Sequence, residues 1–308
     1  MKPVLLVTIA LKPPFIADLE KTFDVVYAPD APVAALGARC ADIAIVLTNG
    51  VSGLSAADMD LLPALRLVSA MGAGYENIDI AYARSRGIVV SNGAGTNDDN
   101  VADHALALLL ATVRRIPVLD RATRNGIWRD ALPLDPSVSG KRAGIIGLGR
   151  IGEKIARRIG AFDCEIGYYS RTRRDHSPYR YFADLVSLAE WSDFLVVATP
   201  GGASTRHMVN ADVLRALGPR GFLVNIARGS VVDTAALASA LGAGTVAGAG
   251  LDVYESEPDA PVALLGFEQV VLTPHLAGRS PEALQASIDL FIDNARRHLA
   301  GEAVSTPL

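Results

Sequence analysis

The sequence predicts an α/β chain of two Rossmann-like or flavodoxin-like domains, each with a parallel sheet, the second inserted into the first. Three observations predict it. Apolar runs bounded by turn residues alternate with helical patterns along nearly all 308 residues. A glycine motif, Gly147-Leu148-Gly149-Arg150-Ile151-Gly152, starts near the middle, after one such α/β set is complete. Beyond the last strand pattern, Pro281 begins a long helix that suits a return to the first domain. The expected boundaries are 1–97 with 281–308 for one domain and 98–280 for the other.

In order, Val4–Ile9 reads as the first strand, closed by Lys12 and two prolines; a signal peptide would need a longer apolar stretch and a small-residue cleavage site. Ile43–Leu47, Leu67–Ser69 and Ile88–Val90 read as further strands, and Ile78–Arg86 as a helix. Asn100–Arg115 is a helix by the spacing of Val101, Ala105, Leu108 and Ala111, with Asp98 or Asp99 as its cap and Arg114-Arg115 at its negative end. Asn125–Lys141, with Pro133, Pro136 and Gly140, is an irregular arm. Then come the strand Ala143–Ile146, the helix Glu153–Ala161 and the strand Glu165–Tyr169. Alternation continues through Leu272, and the last helix runs from Pro281 to Ala300.

Composition bounds the partners. Half the residues are hydrophobic, 20% are charged, and the net charge is −4. That balance argues against nucleic acid or an anionic membrane. The basic run Arg171–Arg174 is local, and the hydrophobic helix Ala105–Val113 falls far short of the ~20 residues that span a bilayer. Cys40 and Cys164 lack metal-ligand spacing and read as buried, inert thiols in a reducing compartment, so a cytoplasmic protein without a metal is expected.

The glycine motif gains its meaning from context. It follows an apolar strand, opens a helix, and is followed by a second strand at βαβ distance. The first glycine permits the tight turn, the second lets a pyrophosphate approach the backbone, and the third lets helix and strand pack closely. N–H groups at the helix start then meet the phosphate charge.

Three later segments place polar residues just beyond apolar strands: Asn225-Ile226-Ala227-Arg228, Asp252 through Glu257, and Thr273-Pro274-His275. Arginine, carboxylate and histidine together suit reduction of a 2-oxo acid. Arg228 offers a fork of donors to a carboxylate and a carbonyl oxygen. His275 gives the oxygen its proton as hydride reaches the carbon. Glu257 orients the imidazole and favours its charged form.

With these motifs in order, the chain resembles the D-2-hydroxyacid dehydrogenases. The matches are Gly147–Gly152, Asn225–Gly229, Gly250–Pro258 and Thr273–His275, with Gly72-Ala73-Gly74-Tyr75-Glu76-Asn77-Ile78-Asp79 and Val101-Ala102-Asp103-His104-Ala105 upstream. Ala161–Cys164 through Tyr168–Arg171 narrows the likeness to the glyoxylate/hydroxypyruvate and hydroxyphenylpyruvate reductases. The resemblance implies that Arg228, Glu257 and His275 are catalytic, and that Ala73 and Gly74 bind the substrate carboxylate through backbone N–H groups, with Arg228 and His275 also on the substrate. It implies cofactor contacts from Gly147, Leu148, Gly149, Arg150, Ile151, Gly152, Ser170, Arg171, Thr172, Pro200, Thr205, Ile226 and Ala227, and from Asp252 toward the nicotinamide carboxamide. It places the arm around Trp128 at a homodimer interface.

Cofactor choice is read at the end of the second strand of this domain. NAD enzymes place an acid there for the ribose hydroxyls. This chain has Ser170, then Arg171-Thr172-Arg173-Arg174, with no acid before Asp175. A charge-assisted bond from Arg171 to a 2′-phosphate contributes about 1.5–3 kcal/mol, so NADPH is expected.

Two departures from the family pattern stand out: the glycine pair in Pro200-Gly201-Gly202, and Arg279 where a small residue is common. Arg279 is read either as favouring a second polar group on the substrate or as an exposed helix-start residue. The leading expectation is reduction of glyoxylate and hydroxypyruvate. Arylpyruvate reduction is the enzyme alternative. Formate dehydrogenase is disfavoured by Glu257, and phosphoglycerate dehydrogenase because no regulatory domain is expected after Leu308. A cofactor-sensing interaction protein of the C-terminal-binding corepressor type is the rival from another class, disfavoured by the short tail.

Overall fold

A computed structural model describes residues 2–29 and 31–308. Two compact units emerge: Met1–Asn97 with Gly278–Leu308, and Asp98–Ala277.

The first unit holds five parallel strands, β1 (Val4–Val7), β2 (Asp24–Tyr27), β3 (Ile43–Asn49), β4 (Leu67–Met71) and β5 (Val89–Asn92), in the order β2-β1-β3-β4-β5. This is the flavodoxin-like order. β3 and β4 lie inside the sheet with both faces covered, which is why they are near-continuous apolar runs. Helices α1 (Pro13–Glu20), α2 (Ala56–Asp60) and α3 (Ile80–Ser85) connect them.

The last helix of the chain, α10 (Pro281–Leu299), returns to this sheet. Ser280 caps it by accepting from Ala283 N–H, and Pro281 stands at its first turn. Ile288, Phe291 and Ala295 pack with Leu5, Val7, Ile45, Leu47 and Leu67. Buried Asn294 then ties down the tail: its Oδ1 accepts from Ser305 N–H at 2.7 Å and its Nδ2 donates to Thr306 Oγ1 at 3.0 Å.

The second unit holds seven parallel strands: β6 (Arg142–Ile146), β7 (Glu165–Tyr169), β8 (Arg180–Phe182), β9 (Phe194–Val197), β10 (Phe222–Asn225), β11 (Gly248–Leu251) and β12 (Val270–Leu272). Their order is β12-β11-β10-β9-β6-β7-β8. The first six in chain order follow the dinucleotide-binding sequence, with β12 added at the edge beside β11. Strand order reverses between β6 and β9, and ligands bind beyond the carboxyl ends at such a switch point.

Helices α4 (Asp98–Val113), α5 (Ile116–Arg124), α6 (Arg150–Gly160), α7 (Leu185–Trp191), α8 (Ala211–Leu217) and α9 (Thr234–Gly242) belong to this unit. Glycines in β11 set how close α4 can come. A Cβ on Gly250 would lie 2.8 Å from Thr112 Oγ1 and 3.1 Å from Leu108 Cβ. Alongside, α4 and α6 are laced by Arg150–Asp98, Lys154–Asp99, Arg158–Asp99 and Arg158–Asp103 pairs. Hydrogen bonds from Lys154 and then Arg158 lower the Asp99 carboxyl to about 2.

Several expected elements shift. α4 begins at Asp98, not Asn100, and ends at Val113, so Asp98 lies inside the helix and Arg114-Arg115 outside it. Buried Asp98 turns to the Arg150 guanidinium rather than serving as a cap, and left-handed Arg115 opens α5, which the sequence pattern did not single out. The edge strands β2 and β8 also escaped notice, because exposed Asp24, Tyr27 and Arg180 leave them too short an apolar run. α6 starts three residues before the expected Glu153, directly on the glycine motif. Cys164 is buried and its thiol is pushed up by burial, whereas Cys40 is only half-buried. Among the described residues no helix is long and apolar enough to cross a membrane, and no cluster of potential metal ligands forms.

Candidate active site

The glycine loop is built for a guest. Gly147 sits at φ 94°, and a Cβ there would lie 2.9 Å from Ala198 O. Gly152 lies against the turn itself, its Cβ position 2.1 Å from Gly147 O. Gly149 differs: a Cβ there would meet no protein atom within 4 Å. It is the N-cap of α6, and no side chain caps the helix. Open space beside helix N–H groups fits a diphosphate, so the loop passes the test for a dinucleotide. Leu148 is buried beneath it, Ile151 is half-buried, and Arg150 is exposed on the surface with its Nε 2.7 Å from Asp98 Oδ2.

At the end of β7, Ser170 Oγ donates to Thr172 O at 2.7 Å. Arg171, Thr172, Arg173 and Arg174 are all exposed. In the loop after β9, Thr205 Oγ1 donates to Pro200 O at 2.9 Å, closing the segment on itself. Ile226 and Ala227 are buried at the end of β10.

Three neighbouring strands, β10, β11 and β12, deliver the charged set. Arg228 follows β10 and its Nη1 donates to Ala227 O at 2.6 Å. Glu257 lies in the loop after β11. His275, three residues past β12, places its Nδ1 2.7 Å from Glu257 Oε2. Burial works to raise the Glu257 carboxyl, but the bond with His275, the N–H of Tyr254 and the charge of Arg228 outweigh it and hold it below the usual value. An ionised Glu257 accepts, so the imidazole Nδ1 donates and Nε2 is left for chemistry.

His275 adopts the left-handed conformation, φ 52°, which a residue with a Cβ enters at a cost. Asp252 supplies the restraint. Its Oδ1 accepts from Leu276 N–H and its Oδ2 from Ala277 N–H, both at 2.9 Å, while its backbone O accepts from His275 N–H at 2.8 Å. Thr273 Oγ1 donates to the same carboxylate at 2.6 Å and lies 2.9 Å from His104 Nε2. The carboxylate of Asp252 is thus turned to the chain on either side of His275.

In the other unit, Ala73 and Gly74 lie in the loop after β4. Among the described residues neither N–H donates a hydrogen bond, so both remain open to an anion. Asn92 Nδ2 holds the loop through Ala73 O at 2.9 Å, and Gly50 makes room for it, since a Cβ there would lie 2.6 Å from Gly74 C. Arg279 is exposed just before the cap of α10.

Comparison with known proteins decides the family. Residues 106–277 match the model of the D-isomer specific 2-hydroxyacid dehydrogenase, NAD binding domain. A hydroxyphenylpyruvate reductase of Plectranthus scutellarioides is 42% identical over 274 residues, covering 89% of this chain and 88% of its own. A glyoxylate reductase of Pyrococcus furiosus is 38% identical over 319 residues, covering 99% and 95%. The crystal structure of an NADPH-dependent glyoxylate/hydroxypyruvate reductase from Sinorhizobium meliloti, in complex with NADP and malonate, superposes with a TM-score of 0.94 at 42% identity, covering 100% of this chain and 97% of that one. The chain belongs to the D-2-hydroxyacid dehydrogenases.

This dehydrogenase also depends on residues that carry no chemistry and that the motifs alone did not single out as site residues. Gly229 lets the Arg228 turn lie on the loop that carries Glu257: a Cβ there would be 1.9 Å from Tyr254 C. Gly201, half of the unexpected glycine pair, makes room for Arg228, whose Cγ would lie 2.8 Å from an added Cβ. Asn225, fully buried, accepts from Ala227 N–H and donates to Arg228 O, shaping the turn that presents the arginine. Departures from expected spacing and buried polar residues at strand ends were the available signals.

Proposed function

We propose that this dehydrogenase reduces small 2-oxo acids, with glyoxylate and hydroxypyruvate favoured, to D-2-hydroxy acids using NADPH. The observation that carries the reading is the His275–Glu257 pair at 2.7 Å, presented from the ends of β12 and β11, with Arg228 at the end of β10 beside β11. The nicotinamide, when bound, supplies the hydride. Arg228 holds the substrate carboxylate and polarises the carbonyl, and the open N–H groups of Ala73 and Gly74 suit the binding of a carboxylate. His275 Nε2 gives its proton to the carbonyl oxygen as the carbon becomes tetrahedral. Glu257 stabilises the protonated ring and fixes which nitrogen faces the substrate.

For the cofactor, Gly147–Gly152 takes the diphosphate, and Ser170 with Arg171 and Thr172 takes the 2′-phosphate. Pro200, Thr205, Ile226 and Ala227 line the nicotinamide side, and Asp252 holds the His275 loop beside the carboxamide. NADPH is favoured because the β7 end has no carboxylate to repel a phosphate and three exposed arginines to receive it. The NADPH dependence of the Sinorhizobium relative points the same way. A homodimer through the arm accounts for Trp128 and Leu134, which are 68% and 100% exposed. Two free cysteines suit the reducing cytoplasm. Reduction of hydroxyphenylpyruvate is the second reading, favoured by the 42% identity to the Plectranthus reductase.

Initial rates of NADPH and NADH oxidation over glyoxylate, hydroxypyruvate, phenylpyruvate and hydroxyphenylpyruvate test both readings. Strong NADPH turnover on the two small acids supports the first. Turnover confined to the aryl acids supports the second, and NADPH binding without turnover overturns both.

A further inference from the structure

The basic loop after β7 is tethered from below by two tyrosines. Tyr168, in β7, is 1% exposed and its ring packs in the core of the second unit. Its hydroxyl accepts from Arg174 N–H at 2.9 Å. Tyr181, in the neighbouring strand β8, stacks at a tilt 5.4 Å from Tyr168, and its hydroxyl donates to Ser170 O at 3.5 Å. One hydroxyl therefore holds the start of the loop and the other holds its end. Between the two tethers, Ser170 Oγ braces Thr172 O, and Arg174 O accepts from Ser177 N–H at 3.2 Å. Only Arg171, Thr172 and Arg173 are left to project between the two tethers, and all three are exposed.

Phenylalanine would fill the same core space at either strand position. What the hydroxyls add is contact with the main chain of an exposed loop. Ordering a loose loop on binding costs conformational entropy, which a loop held beforehand does not pay. We infer that Tyr168, assisted by Tyr181, is a positioning residue for cofactor choice: it holds the Ser170–Arg174 segment in the shape that receives a 2′-phosphate. The inference rests on the NADPH reading, because a ligand without that phosphate gains nothing from the tether.

The test is calorimetric titration with adenosine 2′,5′-bisphosphate and with 5′-AMP, which differ only in the 2′-phosphate, on the wild type and Tyr168→Phe. The wild type is expected to favour the bisphosphate. In Tyr168→Phe that ligand should weaken about three- to tenfold, the worth of one hydrogen bond, while 5′-AMP is unchanged. The KM for NADPH should rise by the same factor, with kcat and the NADH parameters unaltered. A bisphosphate-to-AMP ratio equal to wild type, or parallel weakening of both ligands, overturns the inference while leaving NADPH preference intact. A wild type that binds both ligands alike instead overturns the NADPH reading and the inference with it. If Tyr168→Phe does not fold, Tyr181→Phe carries the same test: a fall in the ratio supports the tether and an unchanged ratio overturns it.

Discussion

Replacing Gly229 by alanine isolates the role of close backbone packing in assembling the proposed catalytic set. Gly229 does not need positive φ, so alanine meets no backbone strain there. Its Cβ, however, would lie 1.9 Å from Tyr254 C, 2.1 Å from Tyr254 O and 2.4 Å from Glu255 N. Ordinary contact starts near 3.4 Å, so the two loops must part by about 1.5 Å. One loop carries Arg228 and the other carries Glu257. Overpacking of this kind costs about 1–3 kcal/mol of stability. A misplacement near 1 Å at reacting groups costs on the order of a hundredfold in rate. Gly229→Ala should therefore remain folded, melt several degrees lower, and lose about two orders of magnitude in kcat with glyoxylate and NADPH. Affinity for the diphosphate half of the cofactor should hold, because the Gly147–Gly152 loop lies on another strand. Gly160→Ala is the control: nothing lies within 4 Å of its Cβ position, and kcat should not change. A folded Gly229→Ala protein with kcat within threefold of wild type would refute the packing argument.

Other consequences follow from the same geometry. Glu257→Gln keeps the shape of the His275 contact and removes its charge, so kcat should fall about a hundredfold and the pH–rate profile should shift; an unchanged profile would remove Glu257 from the mechanism. In the wild type the depressed Glu257 carboxyl stays ionised above its ordinary range, and its hold on His275 is lost only as pH falls through the lowered value. Tyr254 behaves in the opposite sense: burial first, then the charge of Asp252, raises its phenol from 10.0 to about 12, so the folded state favours the neutral form. Its contribution is complete below pH 10 and fades as pH rises toward 12. Denaturant midpoints across that window should fall more steeply in the wild type than in Tyr254→Phe, and parallel curves would contradict the assignment. Arg171→Ala should raise the KM for NADPH about tenfold or more without touching NADH, and an equal effect on both would count against a 2′-phosphate contact.

The sequence by itself determined the alternation of most strands and helices, the glycine turn and the identity of the charged residues. Those features are local: apolar runs make buried parallel strands, and Gly147–Gly152 makes its turn wherever a strand meets a helix. It could not determine the fit between segments far apart in the chain. Gly229 against Tyr254, Gly201 against Arg228, and Asp252 holding the left-handed His275 each join residues from different strand ends. Nothing in Ala-Arg-Gly-Ser announces that its glycine must admit another backbone 25 residues away. The same holds for Asp98, which the helix pattern offered as a cap and which packing turned to Arg150. Local preference specifies which conformations a segment can adopt. Only the packed sheet, by bringing three strand ends side by side, decides which side chains meet and at what distance.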